Sequence, residues 1–252
     1  MFSTRLPGTL DTNAVTAAID RMRTSGTPFI DLTETNPTAA GITYPADLLS
    51  ALASPAALTY APEPLGLPAA RQAAAAEMSR QGAPIPPDRV VMTASTSEAY
   101  SLLFKLLCDP GDVVLIPQPS YPLFEMLSRL DGVATAPYRL THHDGWSLDR
   151  RSIELAVTPR AKAVLFVSPN NPTGSVITAD DAAWLHTFAA SRHLAVIADE
   201  VFLDYAIDPS KALPSIRGTR ALTFSLGGLS KSAGLPQVKL GWMGLTGPAA
   251  LV

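Results

Sequence analysis

From Arg89 onward the chain alternates short apolar runs with stretches of helical periodicity. Val90-Val91-Met92 leads into a helix over 97–108, and Val113-Val114-Leu115-Ile116 into another over 122–130. A weaker run over 134–140 precedes a polar loop and a short helix over 151–157. Ala163-Val164-Leu165-Phe166-Val167 is the clearest central strand, with a helix over 179–192 behind it. Ala195-Val196-Ile197-Ala198 and runs over 221–225 and 240–245 complete the set. Apolar strands between helices are buried on both faces, so the pattern predicts an α/β fold with a mostly parallel, seven-stranded sheet flanked by helices.

The segment before Arg89 reads differently. A short helix over 11–23 ends at the breakers Ser25-Gly26-Thr27-Pro28, and Phe29-Ile30-Asp31-Leu32 is a short extended piece entering the turn Asn36-Pro37-Thr38. Two more helices are expected over 46–53 and 68–81.

Composition narrows the function classes. A chain of 252 residues, 47% hydrophobic and 16% charged, can bury a substantial core as a soluble globular protein. Its net charge of -3 leaves no electrostatic footprint for nucleic acid or an anionic membrane. The single cysteine, Cys108, excludes an internal disulfide and a cysteine-based metal site, and its apolar surroundings give it a packing role. No run approaches the ~20 apolar residues of a membrane span, and the first residues do not form a signal peptide, so a cytoplasmic location is expected. His142, His143, His186 and His193 read as surface or cap residues.

In sheets of this kind ligands bind beyond the carboxyl ends of the strands. The residues there are polar or special at five ends: 93–96, 117–121, 168–174, 199–205 and 226–231. Ser95-Thr96-Ser97 at a helix start is either a simple N-cap or a phosphate cradle. Asn170-Asn171-Pro172-Thr173-Gly174 has the residues of a tight turn. Asp199, at a strand tip, fits a cap or a metal or sugar ligand. Lys231, in a loop of small residues, is either a solvated charge or an amine able to hold an aldehyde as a Schiff base.

Taken together, Asn171-Pro172-Thr173-Gly174, Asp199-Glu200-Val201 and Ser230-Lys231-Ser232 resemble the class I/II aminotransferases, the pyridoxal-phosphate enzymes of the aspartate aminotransferase fold (fold type I). The spacings agree, with 28 residues from the Asn to the Asp and 32 from the Asp to the Lys. Thr93–Ala99, Pro119-Ser120-Tyr121 and Tyr60-Ala61-Pro62-Glu63-Pro64-Leu65-Gly66 also sit where the family has them.

The resemblance implies pyridoxal 5'-phosphate as cofactor and an amino acid and a 2-oxo acid as substrates. It implies that Lys231 forms the Schiff base and moves the substrate proton. Asp199 would pair with the pyridine nitrogen, and would need good hydrogen bonds to stay ionised when buried. Asn171 would donate to the phenolic oxygen, Tyr121 would stack on the ring, and Ser95, Thr96 and Ser230 would bind the phosphate. Tyr60 would reach the phosphate of a neighbouring subunit, which implies a homodimer. The domains implied are an N-terminal arm and start of a small domain over 1–45, and a cofactor-binding large domain over 46–252.

Three departures qualify the resemblance. Phe202 stands where the family commonly has a tyrosine hydrogen-bonded to the phenolic oxygen, which predicts a higher Schiff-base pKa unless Tyr205 substitutes. Lys239 stands where an arginine usually pairs with the phosphate, so charge is kept and the fork geometry lost. The chain stops at Val252, before the small domain and the arginine that grips the substrate carboxylate, so a truncated and loosely folded chain is expected. The same residues also fit another reaction on this scaffold, such as a C–S lyase or decarboxylase, or a non-catalytic cofactor-binding fragment.

Overall fold

The structure is a computed structural model that describes residues 2–6, 11–30, 34–208, 210, 214 and 220–252. It divides into two compact units, Met1–Ala61 and Pro62–Val252.

In the first unit, α1 (Ala14–Thr24) begins at Asn13, whose side chain accepts the Thr16 N–H at 2.9 Å. Arg21 and Arg23 in its last turn suit the negative end of the helix dipole. The helix expected over 46–53 is a 3-10 helix, Leu48–Ala53. The proline at 55 turns Ser54 extended, at φ -59° and ψ 132°, and the segment ends before an α-helix can establish itself. A second 3-10 turn covers Pro55–Leu58. The extended piece expected over 29–32 lies partly outside the described residues.

The second unit is built from α2 (Pro68–Arg80), β1 (Val90–Thr93), α3 (Thr96–Leu107), β2 (Val113–Gln118), α4 (Leu123–Leu130), β3 (Ala134–His142), β4 (Trp146–Leu148) and α5 (Arg150–Ala156). It continues with β5 (Ala161–Val167), α6 (Ala179–Ser191), β6 (Ala195–Asp199), β7 (Thr223–Gly228), α7 (Leu229–Ser232) and β8 (Gly241–Thr246). The strand order is β1-β8-β7-β6-β5-β2-β3-β4. The block from β7 to β3 is parallel, β8 is antiparallel to both of its neighbours, and β4 is antiparallel to β3.

The sheet therefore has eight strands among the described residues, one more than the apolar runs predict. The addition is β4, three residues within the expected polar loop. Asp144 and Gly145, at φ 54° and 131°, reverse the chain, and Trp146 then packs edge-on to His142 at 5.2 Å. A second difference concerns Lys231. Strand β7 runs on to Gly228, so Lys231 sits on the one-turn helix α7 instead of in a loop.

Both faces of the sheet are covered, as continuous apolar strands require. Leu165 points with Leu103, Phe104, Phe124 and Ile197 into the core beneath α3 and α4. Its neighbour Val164 points the other way, among Leu115, Tyr138, Ile153 and Leu185 beneath α5 and α6. Burying each such large side chain stabilises by about 1.5–3 kcal/mol. Tyr138 keeps its polar end satisfied by donating to the Leu165 carbonyl at 2.9 Å. His186, expected at the surface, is buried on α6, on the same stripe as Leu185 and Ala189. Among the described residues no helix is long and apolar enough to cross a membrane.

Candidate active site

The carboxyl ends of β2, β5, β6 and β7 and the start of α3 open onto one cavity of about 330 Å³. Ser95, Thr96, Tyr121, Asn171, Asp199, Ser230, Lys231 and Lys239 all line it. Eight residues singled out along some 145 positions of sequence thus share one space, because parallel strands bring their loops to the same edge. Tyr60 belongs to the first compact unit, where it is 90% exposed. A larger cavity of about 480 Å³, against α2, is lined mainly by alanines, Leu229, Leu240 and Trp242. None of the predicted site residues lines it, so the chemistry belongs to the smaller one.

Ser95 caps α3. Its hydroxyl oxygen accepts the Glu98 N–H at 3.1 Å, and the Glu98 carboxylate reaches back to the Ala94 N–H at 2.6 Å. The cap reading of this segment is therefore correct, and it coexists with exposure of Ser95 and Thr96 to the cavity. The first turn of a helix also presents free amide N–H groups, which suit an anion. Gly241, at the start of β8, presses against this turn. A Cβ there would sit 3.0 Å from the Ser95 carbonyl carbon and 3.2 Å from its Cα. In the sequence Gly241 shows only as a glycine inside an apolar run, with nothing local to mark this contact.

Asp199 ends β6 and is only 6% exposed. One carboxylate oxygen, Oδ2, accepts from the Tyr100 hydroxyl at 2.5 Å, and Oδ1 accepts the Val201 N–H at 3.2 Å. Burial pushes the Asp199 pKa up, while the two hydrogen bonds and the nearby Lys231 charge pull it down. Burial, followed by the Asp199 charge, pushes the Tyr100 hydroxyl far above its ordinary range, so Tyr100 is the donor of the pair. Tyr100 also lines the cavity, and its place on the apolar stripe of α3 with Ala99, Leu103 and Phe104 makes it look in sequence like a core residue. The adjacent Glu200, also buried, accepts from Ser225 at 2.9 Å.

The Asn170–Gly174 segment is indeed a tight turn. The Gly174 N–H meets the Asn170 carbonyl at 2.7 Å, and Gly174 has φ 70°. Asn170 anchors the turn by donating to the Pro119 carbonyl and to Thr173, at 3.2 and 2.9 Å, and by accepting from Ser120 at 3.1 Å. Asn171 is thereby left to face the cavity. Tyr121, 43% exposed, stands edge-on to Phe124 at 5.8 Å.

Lys231 carries the amine. Its Nζ lies over the Phe202 ring, 5.6 Å from the centroid. Tyr205 does not take the place of the tyrosine missing at 202, because its hydroxyl donates to the Lys231 backbone carbonyl at 2.8 Å. The turn that bears Tyr205 is tied to α2, where Arg80 and Gln81 donate to Asp204 at 2.7 and 3.2 Å. Lys239 follows the turn Pro236–Val238 in a left-handed conformation, φ 58° and ψ 56°, on the cavity wall.

The cavity thus combines an amine, a buried carboxylate, an amide, an exposed aromatic ring and a helix start flanked by hydroxyls and a second lysine. That set suits a polar molecule carrying both an anionic group, for the helix start, and a cationic group, for the carboxylate.

Comparison with known proteins points the same way. Residues 27–250 match the family described as aminotransferase class I and II. The chain is 30% identical over 189 residues to nicotianamine aminotransferase 1 of Oryza sativa subsp. japonica, covering 74% of this chain and 38% of that protein. It is 33% identical over 163 residues to alanine aminotransferase of Mycobacterium tuberculosis, covering 64% of this chain and 38% of the relative. Among solved structures, a double mutant of Thermus thermophilus aspartate aminotransferase superposes with a TM-score of 0.84 at 25% identity, covering 97% of this chain and 64% of that one. The matched region is thus under two-fifths of the length of these two curated relatives.

Proposed function

The chain belongs to the class I and II aminotransferases, and from that premise we propose that it binds pyridoxal 5'-phosphate and serves the transfer of an amino group between an amino acid and a 2-oxo acid. One observation carries the reading: Lys231, Asp199, Asn171 and the Ser95–Thr96 helix start all face one cavity.

The donor set fits that cofactor. The α3 amides, Ser95, Thr96, Ser230 and Lys239 would hold its phosphate, with Lys239 contributing a point charge and no fork. Asp199 would meet the ring nitrogen, Asn171 the phenolic oxygen and Tyr121 one ring face. When bound, the cofactor supplies an electron sink that makes the Cα proton of an attached amino acid removable. The protein does the rest. Lys231 Nζ would hold the cofactor covalently between turnovers and, once displaced by the substrate amine, would take the proton from Cα and deliver it to the cofactor's C4′. Asp199 would keep a proton on the ring nitrogen. The apolar wall formed by Phe124, Leu127 and Val167 would limit water. In this reading Tyr60 reaches the phosphate of a second subunit, and the working form is a homodimer.

The test is covalent trapping. The protein is incubated with pyridoxal phosphate, reduced with borohydride and mapped by peptide mass spectrometry. A single label on Lys231, absent from Lys231→Ala, is expected, and label scattered over other lysines would overturn the assignment. Loss of the bound cofactor's absorbance on adding amino acids one at a time then reads amino transfer.

A further inference from the structure

Tyr100 and Asp199 are 3% and 6% exposed and share the 2.5 Å hydrogen bond that joins α3 to the end of β6. The Tyr100 ring cannot swing away from that bond. It is clamped edge-on by Phe124 at 5.2 Å and stacked near Phe104 at 6.1 Å. The other oxygen of Asp199 is fixed by the Val201 N–H. The ionisable groups facing the pair are few. Lys231 on α7 attracts the carboxylate, Tyr121 beside α4 acts on the phenol, and Glu200 is turned to Ser225. A buried carboxyl tends to hold its proton, and a donor that favours the ionised form opposes this. A donor clamped by packing also fixes which way the carboxylate faces.

We propose that Tyr100 is a positioning residue of the site, whose hydroxyl keeps the Asp199 carboxylate ionised and turned to receive a protonated ring nitrogen. This rests on the reading of the cavity as a pyridoxal-phosphate site. It assigns a role to a residue that sequence patterning places wholly in the core. The electronics of a bound cofactor would then be set from α3 as well as from the strand end.

The experiment uses Tyr100→Phe, which keeps the ring packing and removes only the hydroxyl. In the cofactor-free protein, the Asp199 carboxyl stretch is followed by infrared spectroscopy across pH, with Asp199→Asn identifying the band. Loss of the donor should raise the protonation midpoint by about one to two pH units, the size expected for a hydrogen bond to a charged group. Tyr100 replaced by 3-fluorotyrosine, a stronger donor of nearly the same shape, should lower it, and this variant decides the matter if Tyr100→Phe fails to fold. With ¹⁵N-labelled pyridoxal phosphate bound, the ring-nitrogen shift should move toward the unprotonated value in Tyr100→Phe. A role confined to packing would lower the melting temperature and leave midpoint and shift unchanged, which would overturn the proposal. If wild-type protein takes up no pyridoxal phosphate, the cofactor reading itself falls. If it does and the variants match wild type, only the role of Tyr100 falls.

Discussion

The ammonium of Lys231 rests over the face of Phe202, 5.6 Å from the ring centroid. Phe202 is thus more than an absent hydroxyl, because the ring itself steadies the amine. Phe202→Leu should cost about 0.5–1 kcal/mol in urea unfolding, the range for an exposed cation–π contact. Phe202→Tyr should retain that stability. If the cavity holds pyridoxal phosphate as proposed, the added hydroxyl should also lower the pH at which the loaded protein's absorbance changes.

Tyr205 supports the same lysine from behind. Its hydroxyl and the Gly234 N–H both reach the Lys231 carbonyl, at 2.8 and 3.2 Å. Tyr205→Phe should cost about 0.5–1.5 kcal/mol overall. Its clearer signature should be faster amide hydrogen exchange at Ala233 and Gly234. Arg80→Ala loosens the turn only through Asp204, and with Arg80 57% exposed it should cost under about 1 kcal/mol.

The raised pKa of Asp199 has a defined sign in stability. Between the ordinary carboxyl value of the unfolded chain and the raised folded value, the native state keeps a proton that the unfolded chain has lost. Stability of the cofactor-free protein should therefore fall as pH rises through that window and level off above it. Asp199→Asn should abolish this slope. Urea midpoints measured at intervals from about pH 4 to 8 would show it, the fall starting near the ordinary aspartate range.

Gly241→Ala tests the packing beneath the helix start. The added methyl meets Ser95 backbone, which has no flexible end to yield, so overpacking of about 1–3 kcal/mol is expected. Binding of inorganic phosphate, measured by calorimetry, should weaken along with it. Unchanged phosphate affinity in a folded variant would separate Gly241 from the proposed anion site.

The parts of this molecule visible in its sequence are those with a single physical cause. Strand β5 declares itself because Ala163 to Val167 are buried on both faces, leaving no room for a polar residue. Lys231, Asp199 and Asn171 stand out because each is polar at the end of an apolar run. Strand β4 was hidden because three residues cannot display a period, and its pairing depends on a turn. Tyr100 was hidden for a different reason. Its ring obeys the helix's apolar pattern, while its hydroxyl finds a partner 99 residues away that no local pattern records. The position of Lys231 on a helix and the burial of His186 likewise follow from tertiary packing.

The strand order carries a consequence for how the molecule comes together. Among the described residues strand β1 pairs only with β8, which the ribosome makes about 150 residues later. Until residue 246 has emerged, β1 lacks this neighbour in the sheet, and α3 lacks the surface that Gly241 offers to Ser95. Strands β2 to β7 can assemble first, with contacts of shorter range. The serine and threonine side of the cavity is then docked last, and the nascent chain acquires its lysine and its aspartate before the start of α3 has its packing partner.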